Sequence, residues 1–249
     1  MDSVVVTGAG SGIGAATCRR LAAQGIPLVI HTGSNRAGAE ALADECRAVH
    51  HRLVVGDLAD PHTVAALLDA AQTLGGLRGV VANAGFADRR TLAELDDDAV
   101  ARSLNVMVVP LAHLLRKSIG LLKASVEAGG LGRFVAVSSF VAHRFAAGTS
   151  RFAASAAAKA GVEALVKSAA AELAPHGVTV NAVSPGYVRK DRANTGALNE
   201  AQWTQALARV PMGRLATPDD IAAPIAFLLS ADAAYLTGQV IHIDGGMSL

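Results

Sequence analysis

A short apolar run followed by closely spaced glycines opens the chain. Val4-Val5-Val6 leads into Thr7-Gly8-Ala9-Gly10-Ser11-Gly12-Ile13-Gly14, and an alanine-rich stretch of helical character continues to Gln24. Glycine tolerates positive φ and has no Cβ, so the backbone can turn sharply and approach a pyrophosphate closely. A helix beginning near Gly12 directs its free N–H groups and its positive dipole end at that anion. This context predicts a nucleotide site formed by Gly8, Ser11, Gly12, Ile13 and Gly14, the alternative being a tight turn without a ligand.

Length and composition limit the classes of protein to consider. The chain has 249 residues, 51% hydrophobic and only 4% aromatic, which suits one large α/β domain with a buried parallel sheet. A formal net charge of +1 gives no electrostatic case for nucleic acid or an anionic membrane as a partner. No apolar run reaches transmembrane length, and the first strand leaves no room for a signal peptide, so we expect a cytoplasmic protein. Cys18 and Cys46 have no second ligand nearby in the sequence, so we expect buried thiols and no metal.

Apolar strand-like runs alternate with helical stretches along the whole chain. Strands are predicted near 3–7, 26–31, 52–56, 78–82, 132–138, 178–183 and 239–243. Helices are predicted near 12–24, 36–49, 61–74, 96–117, 151–174 and 217–230. The pattern indicates an α/β fold, a Rossmann-type doubly wound parallel sheet of about seven strands with helices on both faces. We expect a single domain over 1–249, with 186–212 as a lid beside the ligand edge or, alternatively, a surface loop.

The end of the second strand bears on which nicotinamide dinucleotide is preferred. A carboxylate there would accept hydrogen bonds from the adenosine ribose and favour NAD(H), but the chain reads His31-Thr32-Gly33-Ser34-Asn35-Arg36. Ser34, Asn35 and Arg36 can donate to a 2′-phosphate instead, and arginine matches that anion in geometry and charge. The sequence therefore favours NADP(H) over NAD(H). The alternative is that Ser34 and Asn35 only cap the next helix, and one residue can do both.

Three later strand ends carry further candidates for cofactor binding. Asp57 and Leu58 follow the third strand, where the carboxylate can meet an adenine amino group. Asn83-Ala84-Gly85 follows the fourth strand and places small residues and an amide beside the central part of a dinucleotide. Pro185-Gly186 follows the sixth strand. Each is an ordinary strand-end feature when taken alone, so the prediction depends on their common edge.

Taken together, these motifs resemble the short-chain dehydrogenase/reductase family, especially compact members such as 3-oxoacyl-acyl-carrier-protein reductases. The similarity spans essentially the whole chain and includes the glycine run, Asn83-Ala84-Gly85, Pro185-Gly186 and the terminal Asp244-Gly245-Gly246. Asn105 matches the helix asparagine of the family's active site. Ser139 matches its catalytic serine, and Lys159 matches the lysine that holds the nicotinamide ribose. The resemblance implies hydride transfer between a nicotinamide and a carbonyl or alcohol substrate, which includes acyl thioesters.

The resemblance fails at one catalytic position. The family places a tyrosine four residues before the lysine as its proton donor, and here that position holds Ser155. The only tyrosines are Tyr187 and Tyr235, and the segment from Ser139 to Lys159 is longer than in the family. An aliphatic hydroxyl is a far weaker acid than a phenol, and it ends roughly 4 Å short of the phenol oxygen. We therefore expect an atypical proton donor.

Three proton sources are compatible with the sequence. A water held by Ser155, Lys159 and Asn105 is the first. Tyr187, directly after Pro185-Gly186, is the second; its alternative role is an aromatic wall of the pocket. His143 or Arg144, on the lengthened loop, is the third; His143 can equally be an exposed loop residue.

Two functional hypotheses follow, an NADP(H)-dependent oxidoreductase with an altered proton donor and a catalytically silent nucleotide-binding homologue serving as a structural or regulatory subunit. A nucleophilic dyad of Ser155 and Lys159 would need an oxyanion hole, which the sequence does not indicate.

Three basic residues lie close together in the predicted lid: Arg189, Lys190 and Arg192. They either attract an anionic substrate or form a solvated face. Small residues along 151–174, with the resemblance, imply a homotetramer in which these helices pair, or else close packing within one subunit.

Overall fold

The structure is a computed structural model and describes residues 2–145, 152–189 and 199–249. The strands are β1 (Ser3–Val6), β2 (Leu28–Thr32), β3 (His51–Val55), β4 (Leu77–Ala82), β5 (Gly132–Val137), β6 (Val178–Pro185) and β7 (Val240–Ile243). The α-helices are α1 (Gly12–Ala23), α2 (Arg36–Glu45), α3 (Pro61–Thr73), α4 (Ala99–Glu127), α5 (Ala153–Leu173), α6 (Glu200–Leu207) and α7 (Pro218–Leu228). Short 3₁₀ turns cover Leu92–Glu94, Phe140–Ala142 and Ala174–His176.

All seven strands join one parallel sheet in the order β3-β2-β1-β4-β5-β6-β7. The chain builds outward from β1 to β3, then crosses back and places β4 on the other side of β1. The crevice outside the carboxyl ends of β1 and β4 is therefore the switch point at which open α/β sheets bind their ligands. The predicted α/β doubly wound fold is confirmed.

The two faces of the sheet are covered by different helices. Alternation along β1 shows this, since Val5 packs in one apolar core and Val4 and Val6 in the other. The Val5 core includes buried side chains of α3, α4 and α5, whereas the opposite core includes those of α1, α2 and α7. Aliphatic residues on both faces make the strands nearly continuous apolar runs, as buried parallel sheets require.

Helix α4 extends ten residues beyond the predicted end at 117. Pro110 and Gly120 weaken the local helix signal, but Leu122 and Ser125 are buried in the last turns, so tertiary packing prolongs the helix. The sequence expectation that no apolar run reaches transmembrane length needs correction here, because by length and composition alone α4 could cross a membrane. Here it packs beside α5 and against β4 and β5, as the core helix of a folded domain does.

Candidate active site

The glycine turn after β1 has the shape that a pyrophosphate requires. Gly8 and Gly12 have φ of +64° and +57°, in the left-handed region that favours glycine. A Cβ on Gly14 would lie 2.5 Å from the Gly8 carbonyl oxygen, so a larger residue there would push the turn apart. The side chain of Ser11 makes no capping bond to the start of α1, whereas Asp60 caps α3 and Thr217 caps α7. The first N–H groups of α1 thus fit an anionic ligand.

His31, near the end of β2, contacts the glycine turn through its imidazole ring. Its side chain is buried, its Nδ1 lies 3.4 Å from the Gly8 nitrogen, and its Nε2 lies 3.0 Å from the Gly56 carbonyl oxygen. Nδ1 therefore accepts the Gly8 N–H, and the proton is on Nε2, which donates to Gly56. Burial lowers the pKa of His31 below its ordinary value, against the opposing influence of the Gly56 carbonyl and Asp57. A neutral imidazole thus links the glycine turn to the end of β3.

The three residues from which the sequence predicts a preference for NADP(H) have different environments. Asn35 caps α2, since its Oδ1 accepts the Gly38 N–H at 3.2 Å and its Nδ2 donates to the Gly10 carbonyl at 2.8 Å. Ser34 and Arg36 are exposed, and Arg36 approaches Glu40 at 3.4 Å across one helical turn. Asn35 therefore ties α2 to the glycine turn, and Ser34 and Arg36 remain accessible for a phosphate.

The polar residues after β3 and β4 shape the same edge of the sheet. Asp57 is exposed, and its Oδ1 accepts the Ala59 N–H at 2.9 Å, while Leu58 is buried behind it. Asn83 donates through Nδ2 to the carbonyl oxygens of Thr7 and Gly8, at 2.9 and 3.1 Å. Thr7 Oγ1 in turn accepts the N–H groups of Asn83 and Ala84 at 3.0 and 3.1 Å. This network joins the ends of β1 and β4 at the switch point.

One cavity of about 240 Å³ lies at this edge. Eight of the residues predicted from the sequence line this cavity: Ile13, Asn83, Gly85, Ser139, Ser155, Lys159, Gly186 and Tyr187. They follow β1, β4, β5 and β6 or lie in α5, so they are remote in sequence and meet only in the fold. The arrangement places an ammonium and three hydroxyls, those of Ser139, Ser155 and Tyr187, beside a predicted nucleotide groove.

Lys159 is largely buried, with 8% of its surface exposed, and its Nζ donates to the Val137 carbonyl oxygen at 2.6 Å. That bond fixes the ammonium at the end of β5, close to where Ser139 begins the following turn. A second cavity of about 20 Å³, lined by Lys159, Thr7 and Met107, adjoins it and has room for about one water.

Ser155 lies one helical turn before Lys159 and is buried. Its Oγ accepts the backbone N–H of Asp88 at 2.8 Å, which joins the first turn of α5 to the loop after β4. The same loop is held a second time, because the N–H groups of Phe152 and Ala153 approach the Arg90 carbonyl oxygen at 3.1 and 3.3 Å. Ser155 thus fastens this loop to α5.

Asn105 and His143 are absent from the described residues that line the 240 Å³ cavity. Asn105 is exposed on α4, and among the described residues it is not in the lining of the 240 Å³ cavity. His143 is also missing from that lining in the described part of the chain. Its Nε2 lies 2.8 Å from Glu163, a buried carboxylate that also accepts a hydrogen bond from Ser138 at 2.5 Å.

Arg144 donates to the Met247 carbonyl oxygen. Lys190 and Arg192 lie outside the described residues, as does 190–198 of the predicted lid.

Four aromatic residues and one arginine that line the cavity were not predicted from the sequence. Phe86, Phe140, Phe152, Trp203 and Arg89 all line the cavity, along with the predicted Tyr187. The chain has only one Trp, two Tyr and six Phe, and five of these nine line this one cavity. The available signal was the position of Phe86 directly after Asn83-Ala84-Gly85 and of Phe140 directly after Ser139.

Comparison with known sequences gives matches over nearly the whole chain. A family profile described as enoyl-(acyl carrier protein) reductase matches residues 8–248. A cis-4-hydroxycyclohexanecarboxylate dehydrogenase of Sinomonas cyclohexanicum is 41% identical, the match covering 97% of this chain and 94% of the relative. A 3-oxoacyl-[acyl-carrier-protein] reductase of Vibrio cholerae is 37% identical, with 98% and 96% covered.

Comparison with solved structures gives the same architecture. An acetoin dehydrogenase from Salmonella typhimurium superposes with a TM-score of 0.86 at 27% identity, covering 99% of this chain and 96% of the other. A short-chain type dehydrogenase/reductase from Mycobacterium ulcerans superposes with a TM-score of 0.89 at 28% identity, covering 99% and 90%.

Proposed function

The chain belongs to the short-chain dehydrogenase/reductase family, and we propose that it is an NADP(H)-dependent oxidoreductase with an atypical proton donor. Its relatives are oxidoreductases, which supports hydride transfer with a nicotinamide coenzyme as the activity of this chain. The substrate class is a carbonyl compound or the corresponding alcohol, since the relatives named above act on a cyclic hydroxy acid and on 3-oxoacyl thioesters.

The observation that carries the proposal is the meeting of Lys159, Ser139 and Tyr187 in one cavity beside the glycine turn. A bound nicotinamide would supply or accept the hydride there. The Lys159 ammonium, fixed on the Val137 carbonyl, would hold the cofactor ribose, and Ser139 would polarise the substrate oxygen through a hydrogen bond. The apolar wall reduces access of water to the reacting centre.

The preference for NADP(H) rests on Ser34 and Arg36. Both are exposed after β2, and the described residues at the end of this strand, His31 to Arg36, include no carboxylate to repel a 2′-phosphate. An arginine at this position favours the phosphate by charge and by paired N–H donors.

The proton donor proposed here is Tyr187. Its ring packs 4.7 Å from that of Phe140 and lines the cavity with Lys159, so it supplies a phenol to the site from the side of β6. The Ser155 hydroxyl is a far weaker acid than a phenol and accepts the Asp88 N–H, and the Nε2 of His143 is paired with Glu163. Of the three sources that the sequence left open, Tyr187 has the most acidic hydroxyl within the cavity.

The experiment that tests the function is oxidation of NADPH and NADH by the purified protein against cyclic ketones, linear ketones and 3-oxoacyl thioesters. A Ser155→Tyr variant is assayed beside it. Turnover by the unmodified protein supports the proposal. Turnover that requires Ser155→Tyr would support the catalytically silent homologue instead. The observation in favour of that alternative is that Ser155 is buried and its hydroxyl oxygen accepts the Asp88 N–H, which is a structural role.

Assembly and location complete the proposal. The exposed residues of α5 include small side chains at helical spacing, Ala157, Ala160, Ala164, Ser168 and Ala171, together with Lys167 and Glu172. Small residues allow a second helix to approach closely, which supports the homotetramer with paired α5 helices. Cys18 and Cys46 are free and buried, in keeping with a reducing cytoplasm. Light scattering of the purified protein checks the assembly.

A further inference from the structure

Glu163 is a buried carboxylate in α5 that the proposed chemistry does not use. It lies one helical turn after Lys159, and 6% of its surface is exposed. Its Oε1 accepts a hydrogen bond from the Ser138 hydroxyl at 2.5 Å and a second from the Nε2–H of His143 at 2.8 Å. A buried charge is costly unless hydrogen bonds satisfy it, so these two donors stabilise the acid at this position.

The two hydrogen bonds hold both ends of the short segment that carries Ser139. Ser138 directly precedes that residue, and His143 follows the 3₁₀ turn Phe140–Ala142 that Ser139 begins. The Ser139 hydroxyl accepts the Val141 N–H of this turn at a long 3.4 Å. Its own turn therefore holds the hydroxyl weakly, and the placement of the whole segment 138–143 decides where that hydroxyl lies. The same segment includes Phe140, whose ring joins the aromatic wall of the cavity.

Helix α5 makes two hydrogen bonds to consecutive residues at the end of β5. The Lys159 ammonium donates to the Val137 carbonyl oxygen at 2.6 Å, and Glu163 accepts from the adjoining Ser138. The two side chains lie one turn apart on the same face of the helix, so together they oppose sliding of α5 along the end of β5. Because Ser139 follows Ser138 directly, this pair of bonds sets the distance between the Ser139 hydroxyl and the Lys159 ammonium.

We propose that Glu163 is a positioning residue for hydride transfer, which keeps the Ser139 hydroxyl at its working distance from Lys159. This role rests on the proposed function, and it belongs to a residue that would touch neither substrate nor cofactor. Reacting groups must be held to within about 0.5 Å, and a misplacement of about 1 Å can cost on the order of 10²-fold in rate. Loss of the carboxylate should therefore lower kcat. The Kd of the coenzyme should change little, because the glycine turn is not touched.

Crystal structures of the wild type and of two variants test the positioning without turnover. Glu163→Leu keeps a side chain of similar size and removes the acceptor of both hydrogen bonds, so the Ser139 hydroxyl should move by at least about 0.5 Å relative to Lys159. Glu163→Gln retains an oxygen that can accept both bonds, so Ser139 should stay in place. An unmoved Ser139 in Glu163→Leu would overturn the inference. Where Glu163→Leu does not fold, Ser138→Ala removes one of the two bonds and is judged by the same displacement.

Steady-state turnover of a ketone with NADPH tests whether this position controls the rate. Glu163→Leu should lower kcat about 10–100-fold and change the Kd of NADPH less than about twofold. Glu163→Gln, the conservative variant, should keep most of the wild-type kcat. Glu172→Leu replaces an exposed acid of the same helix, and this matched control should have the kcat of the wild type.

A double-mutant cycle with Ser139→Ala separates positioning from a merely structural role. If Glu163 acts through Ser139, Glu163→Leu should have little further effect on kcat once the Ser139 hydroxyl is gone. An equal loss of kcat in both backgrounds would overturn the inference. Displacement of Ser139 in the crystals, with no ketone turned over by the wild type or by Ser155→Tyr, would sustain the placement of Ser139 by Glu163 and overturn the proposed function. Turnover by the wild type that Glu163→Leu leaves unchanged would do the reverse.

Discussion

The backbone N–H of Asp88 donates a 2.8 Å hydrogen bond to the hydroxyl oxygen of Ser155. The two residues are 67 positions apart, and the bond joins the loop after β4 to the first turn of α5. A phenol at position 155 would extend into the cavity past this point, whereas the serine ends at the loop. The position at which the sequence comparison predicts a missing catalytic group is therefore, in the fold, a structural contact.

Ser155→Ala should therefore lower stability more than activity. It leaves the partly buried Asp88 N–H without its acceptor, a loss of about 1 kcal/mol, which corresponds to a fall of about 2–4 °C in Tm for a protein of this size. Thermal unfolding followed by circular dichroism measures it. Ser168→Ala, on the exposed face of the same helix, is the control for helix propensity. If both variants have the same Tm as the wild type, the hydrogen bond between Asp88 and Ser155 does not contribute to stability.

The parts of the site that the sequence predicted are those set by local chemistry. The glycine turn, its strand and its helix occupy one continuous stretch, so spacing and residue type determine them. The aromatic wall could not be predicted in the same way, because Phe86, Phe152 and Trp203 come from three distant segments that only the sheet topology brings together. Sequence position likewise did not reveal that Glu163, twenty residues away, holds His143 outside the cavity.

Tyr187→Phe should reduce kcat with little effect on cofactor affinity. The change removes one hydroxyl and keeps the ring against Phe140, so the expected loss is that of a positioned acid, about 10²–10⁴-fold. Steady-state turnover of a ketone at saturating NADPH measures it. Tyr235→Phe, at a fully exposed site, should match the wild type. An active Tyr187→Phe enzyme paired with an inactive Ser155→Ala enzyme would instead identify a water held by Ser155 and Lys159 as the donor.

Arg36→Gln should weaken binding of NADPH and leave binding of NADH unchanged. Arg36 is exposed after β2, and loss of one charge-assisted contact to a 2′-phosphate corresponds to about a tenfold rise in Kd. Asn35→Ala makes the contrast, because Asn35 caps α2 and binds the Gly10 carbonyl, so its loss should weaken both coenzymes. Fluorescence titration gives the Kd of each coenzyme for the wild type and for both variants. An equal effect of Arg36→Gln on NADPH and NADH would contradict the assigned preference.

His31 should make the stability of the folded chain depend on pH in the weakly acidic range. Burial lowers the pKa of this imidazole in the folded state below its ordinary 6.5, so below that pH the unfolded chain takes up the proton first. Stability contributed by neutral His31 is therefore present at pH 7 and falls as the pH drops through the ordinary value toward the folded one. One proton limits the slope to about 1.4 kcal/mol per pH unit.

Urea unfolding at a series of pH values measures this dependence of the free energy of unfolding on pH. His31→Gln should flatten that dependence between pH 7 and pH 5, whereas His50→Gln controls for the loss of an exposed imidazole. Protonation would also turn Nδ1 into a donor facing the Gly8 N–H, so the glycine turn should loosen over the same pH range. A His31→Gln curve parallel to the wild type would show that this imidazole does not couple the turn to pH.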